Sequence, residues 1–363
     1  SEDAWNIFVN GNYAYLAVYA AGLAIIDISN PASPGSPVYM NTSGSASGVN
    51  VVGNYAYVSD GSSGLAIIDV SDPTNLGNPI YKDTSGFAAD ITVVGNYAYV
   101  ADGASGLAII DISDPTNPGN PVYMNTSGSA LGVTVVGNYA YIADEQSGLS
   151  IIDISDPANP GTPVYKDTSG FSWGVTVVGN YAYIGDYGSG LAIIDISDPT
   201  NPGNPVYMNT SGTGRSVTVV DDYAYVADNN SGLAIIDVSD PTSPGNPIYK
   251  DTSGDTFGVS VIGTYAYLAD RESGLAVIPL NTGLIQDPAS NQATLTLASP
   301  GAANSIGANK AIVIGNSNTP VASNVSTATV KNINASIHLV ASDKDYDNLT
   351  YSIVSNPSNG TAS

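Results

Sequence analysis

The side chains able to do chemistry in this sequence are chiefly carboxylates, and they recur at a constant interval of 42 residues. One series comprises Asp60, Asp102, Asp144, Asp186, Asp228 and Asp270, with Val18 at the equivalent first place. A second comprises Asp27, Asp69, Asp111, Asp153, Asp195 and Asp237; a third, Asp72, Asp114, Asp156, Asp198 and Asp240, each precedes a proline. Paired carboxylates catalyse when two different environments split their pKa values. Near-identical copies provide near-identical environments, so these residues are expected to cap turns by accepting backbone N–H bonds. Asp3, Asp255 and Glu272 are acids that break the repetition. A carboxylate-based polysaccharide hydrolase or lyase would have to draw on them.

Other catalytic constellations are missing from the first 280 residues, which hold neither Cys nor His. That excludes Ser-His-Asp, Cys-His and thiolate-metal chemistry there. The single histidine, His338, lies in an alternating stretch and reads as a strand residue. The cations of this region, Lys82, Lys166, Lys250, Arg215 and Arg271, are too scattered for a phosphate clamp. The expectation is a chain that is not an enzyme and requires no cofactor. Calcium has one candidate site, Asp343, Asp345, Asp347 and Asn348, where oxygen ligands alternate as a hard cation prefers. Asn-X-Ser/Thr acceptors for glycosylation occur at Asn41, Asn125, Asn209, Asn229, Asn324, Asn334, Asn348 and Asn359. The net charge of −24 argues against nucleic acid and anionic lipid and favours basic partners or divalent cations. No run approaches the roughly 18 apolar residues of a membrane helix, so no direct membrane insertion is expected. The opening Ser1-Glu2-Asp3-Ala4-Trp5 reads as a mature terminus or a fragment edge.

The elements that position these residues follow from the repeat. Asn12-Tyr13-Ala14-Tyr15 returns with Tyr55, Tyr97, Tyr139, Tyr181, Tyr223 and Tyr265 in the place of Tyr13, seven copies without insertion or deletion. Each copy reads as four short strands. In the second these are Gly48 to Val52, Tyr55 to Ser59, Leu65 to Val70 and Pro79 to Asp83, separated by Gly-, Asn- and Pro-rich turns. The third is a continuous apolar run suited to burial on both faces, and the fourth opens on a proline, as an edge strand tolerates. Four strands in 42 residues is the size of one β-propeller blade. The fold expected is therefore all-β, a seven-bladed propeller over residues 1–280. Its seventh copy lacks an outer strand, for which Ala293 to Ala298, within a connector over 281–318, is the candidate, pairing near Ala276.

The phrase Leu-Ala-Ile-Ile-Asp-Ile-Ser-Asp-Pro, followed by Pro-Val-Tyr, resembles the LVIVD repeat of bacterial and archaeal surface proteins. The resemblance covers residues 1 to about 280 and implies a propeller in an extracellular or cell-surface setting, with no catalytic motif to carry over. Residues 319–363, through Ala341-Ser342-Asp343-Lys344-Asp345-Tyr346-Asp347, resemble the first half of a cadherin-like or Ig-like β-sandwich module of large adhesins. Such modules often place calcium near a similar acidic run. The half-module is expected to be completed by further chain or by strand addition from another protein.

Copy-to-copy differences concentrate where the loop entering the first strand meets the loop joining the second to the third. These residues include Trp5, Tyr19, Phe87, Leu131, Phe171, Trp173, Tyr187, Arg215, Phe257 and Arg271, with both tryptophans of the chain among them. Trp, Tyr and Arg are what interface hot spots use. The functional expectation is a non-catalytic structural or adhesion module of a cell-surface protein or filament. It binds protein, itself included, or glycan through this variable face. The alternative is a carbohydrate- or protein-binding propeller acting as a monomer.

Overall fold

The computed structural model describes residues 3–280, 321–322 and 341–342. Residues 3–280 form seven blades, each a meander in which strands pair in sequence order from the innermost outward. In the second blade the strands are Gly48–Val52, Tyr55–Ser59, Leu65–Asp69 and Ile80–Lys82. The first hairpin pairs Val52 with Tyr55 across a two-residue turn, with Gly53 at φ 58°. Before the third strand stands Gly64, at φ 75°; a Cβ there would lie 2.4 Å from the Lys82 carbonyl oxygen. The third strand is buried through Leu65, Ala66, Ile67 and Ile68, as its unbroken apolar run predicts. The outer strand is three residues long, shorter than the sequence suggests, because the preceding Pro79 has no N–H to extend the ladder.

Neighbouring blades bury their facing sheets against each other. Tyr15, Ala17, Leu23 and Ile25 of the first blade meet Val49, Val51, Ala56, Val58, Ala66 and Ile68 of the second. Full burial of each aliphatic side chain stabilises by roughly 1.5–3 kcal/mol, so every inter-blade layer is a small core. The ring closes where Ala4–Asn10, the innermost strand of the first blade, packs on Gly258–Ile262, the innermost strand of the seventh. Tyr267 and Ala269 of the seventh blade share a cluster there with Ile7, Val9 and Leu16.

The first Asp series does more than cap turns. Asp102 is fully buried; one carboxylate oxygen accepts the Thr84 hydroxyl at 2.6 Å and the other accepts the Gly86 N–H at 2.8 Å. Thr84 and Gly86 lie beyond the outer strand of the preceding blade, so each such Asp ties the chain leaving one blade to the next. Asp60, Asp144, Asp186, Asp228 and Asp270 repeat the arrangement. The second and third series stay exposed and accept local N–H bonds, as Asp69 does from Ser71 and Asp72 from Thr74.

The seventh blade shows three strands among the described residues, and its third, Leu275–Pro279, is less buried than its counterparts. The expected pairing of residues 293–298 with it lies outside the described residues. So do the Asp343, Asp345, Asp347 and Asn348 calcium site and the sequons Asn324, Asn334, Asn348 and Asn359. Residues 281–363 form a separate unit, in which Val321–Ala322 pairs antiparallel with Ala341–Ser342.

Candidate functional site

The variable residues share one face because the topology brings their two loops together. Backbone bridges join the loop after each second strand to the approach of the next blade's first strand: Gly61 with Ala88, Gly103 with Ala130, Glu145 with Ser172, Tyr187 with Gly214 and Asn229 with Thr256. At the ring closure the bridge is Ala4 with Arg271. In the second to seventh blades, position one of that loop has a left-handed backbone. Gly61 and Gly103 adopt it freely at φ 56° and 55°, whereas Glu145, Tyr187, Asn229 and Arg271 hold φ values of 46°, 31°, 50° and 37°. For a non-glycine residue this region costs roughly 1–2 kcal/mol.

On that face the fifth, sixth, seventh and first blades build a continuous arc of rings and guanidinium groups. Phe171 meets Tyr187 edge-on at 6.3 Å, and Tyr187 stacks with Trp173 at 6.3 Å. Arg215 lies between Trp173 and Phe257, its Cζ 4.2 Å and 4.0 Å from the two ring centres. Phe257 contacts Trp5 at 5.0 Å, and Trp5 stacks with Tyr19 at 5.2 Å. Trp5 sits where the strand register shifts between Ala4 and Asn6, a bulge that re-aims the side chain. Arg271 extends the arc over Phe257 at 5.7 Å and pairs with Asp3 at 3.1 Å and Asp255 at 3.4 Å.

Eight of the ten sequence-selected residues therefore come together. Phe87 and Leu131 do not join; the Phe87 ring instead packs so closely on Gly61 that a Cβ there would lie 2.9 Å from it. Asp3 and Asp255, set aside from the sequence as symmetry-breaking acids, are partners of Arg271. Where Val18 interrupts the Asp series, the Arg271–Asp3 pair bridges the last and first blades.

The arc leaves polar atoms unpaired. Among the described residues, the buried side-chain atoms without a hydrogen-bond partner are Trp5 Nε1, Ser59 Oγ, Thr213 Oγ1, Arg215 Nε and Nη1, and Asn229 Oδ1. All but Ser59 Oγ belong to the first, sixth and variable-loop positions of the arc or its immediate neighbours. Burial pulls the Arg215 guanidinium below its usual range, partly opposed by the nearby Tyr187 and Asp255.

One carboxylate escapes a sequence reading confined to loops. Asp90 opens the innermost strand of the third blade, at the end nearest the variable face, where other copies have Gly48, Gly132, Gly174, Gly258, Ser216 and Asn6. Its Oδ2 accepts the Val133 N–H of the next blade at 3.1 Å, and burial pushes its carboxyl up to about 6. Comparison of the aligned copies would have found it. Among the described residues no three His, Cys, Asp or Glu side chains are grouped to hold a metal ion. The sequons Asn41, Asn125 and Asn209 are exposed, whereas Asn229 is half-buried beside the arc.

Seven radially arranged meanders around a common axis define a seven-bladed β-propeller repeat protein. The LVIVD repeat model matches residues 1–42, 43–78, 85–126, 127–164, 169–210, 211–246 and 253–299, and the chain belongs to the LVIVD-repeat family. No curated protein sequence matches it. Among solved structures, the β-propeller domain of Myceliophteria thermophila Cps50 (Swd1) is similar at TM-score 0.60 and 10% identity, over 77% of this chain and 98% of that one. The computationally designed Ika8 protein is similar at TM-score 0.58 and 7% identity, over 76% and 83%. BamB from Moraxella catarrhalis follows at TM-score 0.51 and 17% identity, over 75% and 80%. At these identities the likeness concerns the fold alone.

Proposed function

We propose that this chain is a non-catalytic extracellular module of a cell-surface protein or filament, and that it engages its partner through the arc on the variable face. The observation that carries the reading is the strained loop position. Gly61 and Gly103 relieve it without penalty, yet Tyr187 and Arg271 keep bulky side chains there, and both place them in the arc. Unrestrained drift favours glycine at such a position; retention of Tyr and Arg supports selection for what their side chains touch. The carboxylate series, by contrast, hold turns and blade junctions together, which supports a scaffold role for them.

The test uses the full chain immobilised on beads, with retention measured on surfaces coated with the same chain or with a glycan panel. A variant carrying Tyr19→Ala, Phe171→Ala and Tyr187→Gly, which removes the most accessible rings and leaves the buried Phe257 intact, is expected to lose retention while keeping its melting temperature within a few degrees. Undiminished retention of the variant overturns the assignment of this face. Absence of retention by the unmodified chain on every surface overturns the adhesion reading itself.

A further inference from the structure

The arc combines flat apolar faces with polar atoms that lack partners. Buried polar groups in folded proteins are nearly always paired, so a concentration of exceptions calls for an explanation. Here they are of both kinds: N–H donors on Trp5 and Arg215, an acceptor on Asn229, and a hydroxyl on Thr213 that can serve as either. Arg215 has no carboxylate within ion-pairing distance among the described residues, although the protein carries 32 acidic side chains and only 8 basic ones. In so acidic a molecule, a guanidinium with Asp255 nearby but no carboxylate in ion-pairing contact, clamped between Trp173 and Phe257, is suited to receive an anion.

The backbone narrows what that anion is attached to. Recognition of an extended peptide relies on free main-chain N–H and C=O groups along an edge. In these loops the main chain is already paired: Tyr187 and Gly214 exchange bonds in both directions, and Thr256 N–H donates to the Asn229 carbonyl. Only side chains remain to recognise a ligand. A sugar ring suits such a surface, because its C–H face lies on an aromatic ring while each hydroxyl both donates and accepts. A polyanion would meet the long-range repulsion of a net charge of −24. One carboxylate on an otherwise neutral body avoids most of it.

We propose that the arc is a receptor for a carboxylate-bearing sugar of the uronic-acid type, with Arg215 taking the carboxylate and the flanking Trp173, Tyr187 and Trp5 rings taking the sugar faces. The inference rests on the variable face being the binding surface, and it specifies the ligand class for that face. Arg215, Trp173 and Tyr187 are half-buried, so ring rotations of the kind common at interfaces are enough to bring the buried N–H groups into reach.

The chain provides its own reporter, since its two tryptophans both lie in the arc. Tryptophan emission of the full chain is followed during titration with a trisaccharide of two neutral sugars and one galacturonic acid residue, its methyl ester, acetate, and a capped acidic pentapeptide. The expected result is a saturable change with the acidic trisaccharide and binding at least about tenfold weaker for the ester, the ratio that loss of one charge-assisted contact gives. Arg215→Met, which keeps the volume between the rings, is expected to lower affinity about tenfold or more with an unchanged circular dichroism spectrum. Should Arg215→Met fold poorly, Trp173→Phe preserves the stack and is expected to weaken binding several-fold by equilibrium dialysis. Equal binding of acid and ester, displacement by acetate at the same concentration as the sugar, or a response to the peptide instead of the sugar would each overturn the proposal. If the sugar fails while bead retention still depends on Tyr19, Phe171 and Tyr187, the ligand class is wrong and the face assignment stands.

Discussion

Replacing Asp90 by Asn is expected to make the propeller more stable at neutral pH and no different in acid. The carboxyl titrates near 6 because its burial at the centre of the ring disfavours the charge, which N–H bonds from Val133 and Ile91 offset only in part. An unfolded aspartate titrates near 3.9. Between these values the folded protein binds more protons than the unfolded chain, so stability falls as pH rises through the window from about 4 to about 6. A gap of about two pH units at ~1.36 kcal/mol each gives about 3 kcal/mol, reduced to about 1–3 kcal/mol because the half-buried group retains some solvent screening. Asn removes the ionisation while its side-chain oxygen can still accept the Val133 N–H. The exposed Asp27, Asp69 and Asp72 act in the opposite sense: local hydrogen bonds hold them below the ordinary range, and their contribution is lost as pH falls. The total pH profile therefore mixes both signs, and the difference between variant and parent isolates Asp90. Urea denaturation at pH values from about 3.5 to 7.5, followed by tryptophan emission, measures it. A difference that stays flat across this range, or an Asn variant less stable at neutral pH, refutes the reasoning.

Asp102→Ala leaves the Thr84 hydroxyl and the Gly86 N–H buried without their acceptor. At roughly 1–3 kcal/mol for each orphaned group, thermal unfolding should show a loss of about 2–6 kcal/mol. The same change at the exposed Asp72 should barely move the transition. Glu145→Gly relieves a backbone at φ 46° with no ring contact to lose, and is expected to stabilise by about 1 kcal/mol without affecting ligand binding. Tyr187→Gly relieves the same strain but removes the stack on Trp173; binding should fall even where the melting temperature does not.

Strand existence and blade count were legible because the repeat imposes one solution seven times: an apolar third strand, alternating Tyr and Ala in the second, and Gly where only a left-handed backbone fits. The second blade's first two strands end where the sequence pattern places them, whereas its outer strand is shorter because Pro79 supplies no ladder donor. The loop pairing that gathers Trp5, Trp173, Tyr187, Arg215 and Phe257 follows from the meander alone. What the sequence did not disclose depends on distance between blades. The inter-blade bonds of Asp102 join residues 18 apart in the chain, and Arg271 reaches Asp3 across 268 residues. Asp90 was hidden differently, since an acid among glycines looks like an ordinary substitution until the strand is seen to border the ring's centre.

The arc and the ring closure share residues, so the binding proposed for the arc would be tied to the architecture. Six of the seven junctions carry the buried Asp that fastens one blade to the next; the junction between the last and first blades has Val18 in its place. There, besides the packing of the innermost strands and the cluster around Tyr267, the loops are joined by the Ala4–Arg271 bridge, the Arg271–Asp3 pair and the packing of Trp5 on Phe257. Trp5 and Phe257 are also arc residues, one from each side of the junction. A ligand lying along the arc therefore contacts both ends of the propeller at once, and any affinity it has for the closed ring adds to the stability of that ring by mass action. A strictly symmetric propeller would have to spread its binding groups over seven equivalent mouths. By departing from symmetry on the fifth, sixth, seventh and first blades, this chain gathers its rings and guanidinium groups into one arc, and that arc crosses the junction where the repeating Asp is replaced.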